Sequence, residues 1–181
     1  MLIEQVAEEL EPLAASLVEI ERHVGASGWE QPIRLFALVP TLDLIQAVPE
    51  LADQLTVTAP DALTCVEQEE LVISDLEDFL AQLSWPDGVT GAAISTERVF
   101  LPAQYEDEVP QEVAAAAVFV ANHPSRETAR IVAGALRTGE QFAVLRLASN
   151  PDELLMGENL VPSLTSGLCD SLQGDSDKEE A

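Results

Sequence analysis

The chain has 181 residues, 47% of them apolar, with 33 acidic against 8 basic side chains and a formal net charge of -25. The length suits one domain able to bury most of its apolar surface, in a core left to Leu, Val, Ile and Ala because aromatics are few. The charge argues against nucleic acid held by its phosphates and against an anionic membrane, since both attract Lys and Arg.

Ile3, Val6, Leu10, Leu13, Leu17, Ile20 and Val24 alternate spacings of three and four, so residues 2–24 predict an amphipathic helix. Pro12 should kink or restart it, and Gly25 to Gly28 end it. Gln31 to Val39 predicts a strand. Pro40-Thr41-Leu42 opens a short helix to about Ala47, and Pro49 to Leu55 another helical turn. Ala62 to Glu69 predicts a second strand. Ser74, as N-cap of a capping box with Glu77, opens a helix to Leu83. Trp85-Pro86-Asp87-Gly88 is a turn signal.

Val89 to Ile94 and Arg98 to Leu101 predict a hairpin, and Pro102 to Pro110 an acidic loop. Gln111 to Asn122 is an Ala/Val helix broken by His123-Pro124-Ser125. Arg130 to Leu136 and Gln141 to Leu147 predict a second hairpin, with Thr138-Gly139 as a two-residue connection that pairs Arg137 with Glu140. Asn150-Pro151-Asp152 reads as a turn, and Leu160 to Leu172 as the last helix. The expected fold is α+β, with a largely antiparallel sheet of about 5–6 strands and helices packed on it. Residues 1–172 are expected as a single domain and residues 173–181 as an acidic disordered tail.

No apolar run approaches the ~20 residues of a membrane span. Met1-Leu2-Ile3-Glu4-Gln5 lacks the pattern of a signal peptide, so a cytoplasmic location is expected, with Cys65 and Cys169 reduced. Neither His23 nor His123 has a second His or Cys at metal-ligand spacing, and Glu67-Gln68-Glu69-Glu70 lacks the spacing of a calcium loop. No metal or cofactor is therefore expected. There is no nucleophile elbow and no phosphate loop. His23, at the end of the first helix, suits a dipole-capping role.

One stretch runs against the global charge. Residues 111–149 hold Arg126, Arg130, Arg137 and Arg146 against Glu112, Glu127 and Glu140, a net of +1 that leaves -26 for the rest. Arg126 and Arg130 lie near His123 in sequence, and guanidinium forks bind carboxylate and phosphate in bidentate fashion. These arginines either contact an anion or acidic peptide or pair with carboxylates of the same molecule. Trp29 suits a core position or an interface.

Gly28-Trp29-Glu30-Gln31-Pro32, followed by Arg34-Leu35-Phe36-Ala37-Leu38-Val39-Pro40-Thr41, resembles the hallmark of an uncharacterised actinobacterial protein family. The hallmark usually carries Asp where Glu30 stands. Val66-Glu67-Gln68-Glu69, Trp85-Pro86, Glu97-Arg98, Leu101-Pro102, His123-Pro124, Leu136-Arg137-Thr138-Gly139 and Leu160-Val161-Pro162 fit the same picture, short of the acidic tail. The resemblance implies a cytoplasmic bacterial protein and carries over no activity and no catalytic residue.

These readings point to a non-catalytic protein-interaction or ligand-binding domain, with the stripe of the first helix free to dock on a partner. The alternative is an enzyme acting on an anionic small molecule near His123, Arg126 and Arg130. Candidate ligand-binding residues are His123, Arg126, Arg130, Arg98 and Trp29. The expected partner is a protein or a small anionic ligand, and a homodimer fits on base rates alone. A third reading, an acidic mimic of nucleic acid, requires regularly spaced exposed carboxylates.

Overall fold

The computed structural model describes residues 12–55, 62–68, 73, 75–86, 88–158 and 160–179, with side chains to Gln173. Six strands form one antiparallel sheet: β1 (Arg34–Pro40), β2 (Leu63–Glu67), β3 (Gly91–Phe100), β4 (Glu127–Leu136), β5 (Gln141–Leu147) and β6 (Asn150–Gly157). Their spatial order is β2-β1-β3-β4-β5-β6. The helices are α1 (Pro12–Gly25), α2 (Thr41–Ala47), α3 (Leu76–Gln82), α4 (Val113–Asn122) and α5 (Pro162–Glu179), with short 3-10 turns at Pro49–Asp53 and Ala103–Glu108. The fold is α+β, as the hairpin pattern predicted.

Both sheet faces are covered. On one, Leu13, Leu17, Ile20 and Val24 of α1 pack on Phe36, Leu38, Ala93, Val132 and Val144. On the other, Leu164, Leu168 and Leu172 of α5 join Leu80 and Trp85 over Leu35, Ile94, Ile131 and Ala133. Two buried faces explain why β1 and the inner part of β4 read as continuous apolar runs rather than alternating ones. Small residues in the central strands let α1 come close. A Cβ added at Gly134 would lie 2.7 Å from Leu17 Cδ2.

The stripe of α1 is thus spent on its own sheet, Leu17 being fully buried. It is not the free docking surface expected above. The part of the expected helix before Pro12 lies outside the described residues.

The expected hairpin over residues 89–101 is a single strand, β3. Ser95-Thr96-Glu97 looked like a polar break, but it holds no Gly, Pro or Asn to turn the chain. Both flanks pair, Ser95 with Arg34 and with Val132, so its polar residues sit inside the ladder. Conversely, Asn150-Pro151-Asp152 is not a turn. The chain reverses at Ala148 and Ser149, and Pro151 enters edge strand β6, where a missing N–H is tolerated.

The β4–β5 connection has three residues, not two. Leu136 N donates to Glu140 O at 2.9 Å, and Gly139 takes φ +102 at the end of the loop. Arg137 leaves the ladder instead of facing Glu140. Its guanidinium donates to the carbonyls of Val89 at 2.6 Å, Pro86 at 2.9 Å, Trp85 at 3.2 Å and Leu172.

Helix α3 is capped by Asp75, whose carboxylate accepts from Asp78 N at 3.1 Å. Ser74, expected in that role, lies outside the described residues, as does Glu69 at the expected end of β2. Helix α5 runs on to Glu179, past the expected end at Leu172.

Candidate functional site

Arg130 and Arg146 are directly opposed across β4 and β5. Like charges so placed repel, and a counter-charge must lie between them. Glu21 of α1 supplies it. Its Oε1 accepts from Arg130 Nη1 at 3.1 Å and from Arg146 Nε at 2.7 Å, and its Oε2 accepts from Arg146 Nη2 at 3.1 Å. The side chains of Glu21 and Arg130 are each only 3% exposed. The hydrogen bond to Glu21, outweighing partial burial, holds the Arg146 guanidinium above its ordinary pKa, and the negative charge of Asp152 adds to this.

The loop after α1 closes over Arg130. Arg130 Nη2 donates to Gly28 O at 2.6 Å, and the guanidinium lies 4.3 Å from the centre of the Trp29 ring. Two residues of this loop take the left-handed backbone region, Gly28 at φ 89 and Glu30 at φ 64. Glu97 of β3 clamps its far side, accepting from Glu30 N at 3.0 Å and Gln31 N at 2.8 Å. Gln31 Nε2 donates to Val24 O and Gly28 O. The Gly28-Trp29-Glu30-Gln31 hallmark is thereby the lid of the Arg130 site. The Nε of Arg130 is buried and has no hydrogen-bond partner among the described residues.

A cleft of about 300 Å³ opens beside this cluster, lined by Arg22, Glu21, Trp29, Arg130, Arg146 and, on its apolar side, Leu154 with its neighbours. Three guanidiniums meet one carboxylate there, in a chain whose formal charge is -25. Arg22 is exposed and makes no side-chain hydrogen bond or ion pair among the described residues.

Of the residues singled out from sequence, Arg130 and Trp29 come together, and Trp29 is half-buried at the lid. Arg98 is exposed; it pairs in the ladder with Ala129, so it points to the face opposite Arg130. His123 and Arg126 belong to a different environment. His123 follows α4, with its ring 4.7 Å from that of Tyr105 and 5.4 Å from that of Phe119. Its Nδ1 accepts from Ser125 N at 3.0 Å. Ser125 Oγ contacts Tyr105 Oη at 3.1 Å. Arg126 is exposed and donates to His123 O at 3.1 Å. Neither shares a partner with Arg130.

Sequence reasoning missed Glu21, Arg22 and Arg146 as members of the site. The signal for Arg146 was present, because a short hairpin connection brings it beside Arg130. Glu21 gave none, standing 109 positions from Arg130.

His23 lies in the last turn of α1 and faces β1 and β2. Its Nε2 lies 3.2 Å from Arg34 Nη2 and 3.9 Å from Glu67 Oε2. Glu67, from the acidic run, accepts from Arg34 at both oxygens, which lowers its carboxyl below the usual range. Among the described residues no group of three or more His, Cys, Asp and Glu could hold a metal ion, and no helix is long and apolar enough to cross a membrane.

The model of one protein family, described as PPA1309-like protein, matches residues 13–173. Neither the curated proteins nor the solved structures offer a match to the chain.

Proposed function

We propose that this chain, which belongs to the PPA1309-like protein family, is a non-catalytic binding domain for a small organic anion, seated in the cleft between α1 and β4–β6. One observation carries the reading: three arginines and an indole line that cleft against a single carboxylate, in a protein otherwise strongly acidic. Glu21 is committed to Arg130 and Arg146, and Arg146 Nη1 donates to Pro151 O, so Arg22 is the guanidinium of the cleft whose donors are open to a ligand carboxylate or phosphate. Trp29, Val18, Pro151 and Leu154 offer apolar surface for the rest of the ligand. The volume lies at the small end of ligand pockets. The surrounding negative field disfavours large polyanions, so the ligand carries one or two charges.

The fixed lid supports binding rather than turnover. Its backbone is clamped by Glu97 and Arg130, and the described residues that line the cleft include no Ser, Thr, Cys, His or Lys, while the carboxylate of Glu21 is taken up by two arginines. Thermal unfolding of the full chain should be followed with a panel of small carboxylates and phosphate esters. A true ligand raises the melting temperature with concentration, as mass action requires. It should also alter Trp29 fluorescence, and both responses should be lost in Arg22→Ala and reduced in Arg146→Gln. A panel without any such response, at concentrations well above physiological, would refute the proposal.

A further inference from the structure

The donors of the cleft are unevenly spent. Arg130 gives Nη1 to Glu21 and Nη2 to Gly28 O, its Nε is buried, and Trp29 covers one face of its guanidinium. Arg146 gives Nε and Nη2 to Glu21 and Nη1 to Pro151 O. Arg22 lines the same cleft, is exposed and has no side-chain partner among the described residues. One planar fork is therefore open, and such a fork matches one carboxylate through two parallel hydrogen bonds.

Charge points to the same valence. Three guanidiniums against Glu21 leave the lining at +2, and the negative charge of Asp152, which acts on Arg146, brings this to +1. Glu97 lies on the far side of the lid, where two backbone N–H groups hold it. A ligand with one negative charge neutralises the cleft. A second charge would stay uncompensated in a chain of formal charge -25.

An apolar wall stands beside the open fork. Val18 precedes Arg22 by four residues, so the two share a face of α1 about 5.4 Å apart along its axis. Leu154 is directly opposite Arg146 across β5 and β6 and therefore lies on the same face of the sheet. The space between Val18, Leu154 and Trp29 suits a body about one helical turn long, such as a phenyl ring.

We infer, resting on the anion site proposed above, that its ligand is a monocarboxylic acid with a compact apolar body, not a phosphate ester or a dicarboxylate. The carboxylate sits on Arg22, and the body lies against Val18 and Leu154.

Calorimetric titration of the full chain with phenylacetate, hexanoate, phenyl phosphate, phenylsuccinate, acetate and 2-phenylethanol tests this. Phenylacetate or hexanoate should bind. Phenyl phosphate, close to dianionic at about pH 8, and phenylsuccinate should bind at least about tenfold more weakly. Acetate lacks the body and 2-phenylethanol the charge, so both should also be weak. Arg22→Ala should abolish binding, and Arg22→Lys, which keeps the charge without the fork, should weaken it. Asp152→Asn, at an exposed position, removes one negative charge beside the cleft and should narrow the gap between phenylacetate and phenyl phosphate.

Phenyl phosphate or phenylsuccinate binding as tightly as the monocarboxylates, and through Arg22, would overturn the ligand class while leaving the anion site standing. Acetate binding as well as phenylacetate, a monocarboxylate that still binds Arg22→Ala, or a gap untouched by Asp152→Asn would do the same. Silence from every anion of the series would overturn both.

Discussion

Glu21 Oε1 accepts hydrogen bonds from both Arg130 and Arg146, at 3.1 and 2.7 Å, so one carboxylate holds two opposed arginines on neighbouring strands. The helix that buries Leu17 and Ile20 also carries this charge, so packing and electrostatics of the site depend on one element.

Removing that carboxylate leaves a buried guanidinium without compensation. Glu21→Ala is expected to destabilise the fold by about 3–5 kcal/mol. Replacing Glu21, Arg130 and Arg146 together by apolar residues of similar volume should cost much less, since no charge is then stranded. Urea unfolding of both variants measures the difference. Equal losses would mean that shape, not charge, holds the cluster.

Gly91 and Gly134, two crowded glycines of the sheet, should respond differently to a methyl group. A Cβ at Gly91 would lie 2.7 Å from Ala135 O, a backbone atom of the adjoining strand. At Gly134 the closest atoms are the tips of Leu17 and Leu13, at 2.7 and 3.1 Å, which can turn aside. Gly91→Ala should therefore fall near the upper end, and Gly134→Ala near the lower end, of the ~1–3 kcal/mol typical of overpacking. Thermal melts of the pair decide the order.

Burial, reinforced by the negative charge of Glu19, pushes the Cys65 thiol up to about 12. Only thiolate reacts readily, so Cys65 should resist alkylation at pH 8 in the native protein. Cys169 is buried and should also be slow. Ellman's reagent should find almost no fast thiol before denaturant is added and both cysteines afterwards. Rapid native reaction at Cys65 would contradict this packing.

Glu67 is held below its ordinary pKa, first by its hydrogen bond from Arg34. A carboxyl lowered in the folded state adds stability that is complete above its unfolded pKa and is lost as pH falls through the folded one. Both partners are partly exposed, so the contribution is at most about 1 kcal/mol. Glu67→Gln should remove a small part of the stability loss seen on acidification below the ordinary glutamate pKa. The two chains should converge at the acid end of a pH series of urea melts. A gap that widens as pH falls would reverse the assignment.

Much of the fold was legible because periodicity survives in the chain. The stripe of Leu13, Leu17, Ile20 and Val24 marked α1, and the run from Arg34 to Val39 marked β1. Errors fell where a local signal was outweighed by long-range pairing. Ser95-Thr96-Glu97 looked like a break because polarity usually marks an end, yet β1 and β4 pair on both sides and absorb it. Pro151 looked like a turn because its edge-strand position cannot be read locally. The site was half legible. Arg130 and Trp29, both singled out from the sequence, line one cleft, whereas His123 was grouped with Arg130 by sequence proximity alone. The β4 ladder instead turns Arg130 towards α1, while His123 packs with Tyr105 and Phe119.

Arg137, displaced from the hairpin ladder, gathers carbonyls from Trp85, Pro86, Val89 and Leu172 with one side chain. These belong to the segment that leads into β3 and to the helix on the far side of the sheet. A fluctuation that lifts α5 must therefore also release Trp85, Pro86 and Val89 from the β4–β5 connection. The α5 half of the molecule is in this sense latched as one cooperative unit. Its amides should exchange with solvent hydrogen together, and the α1 half, tied instead through Glu21, can open separately.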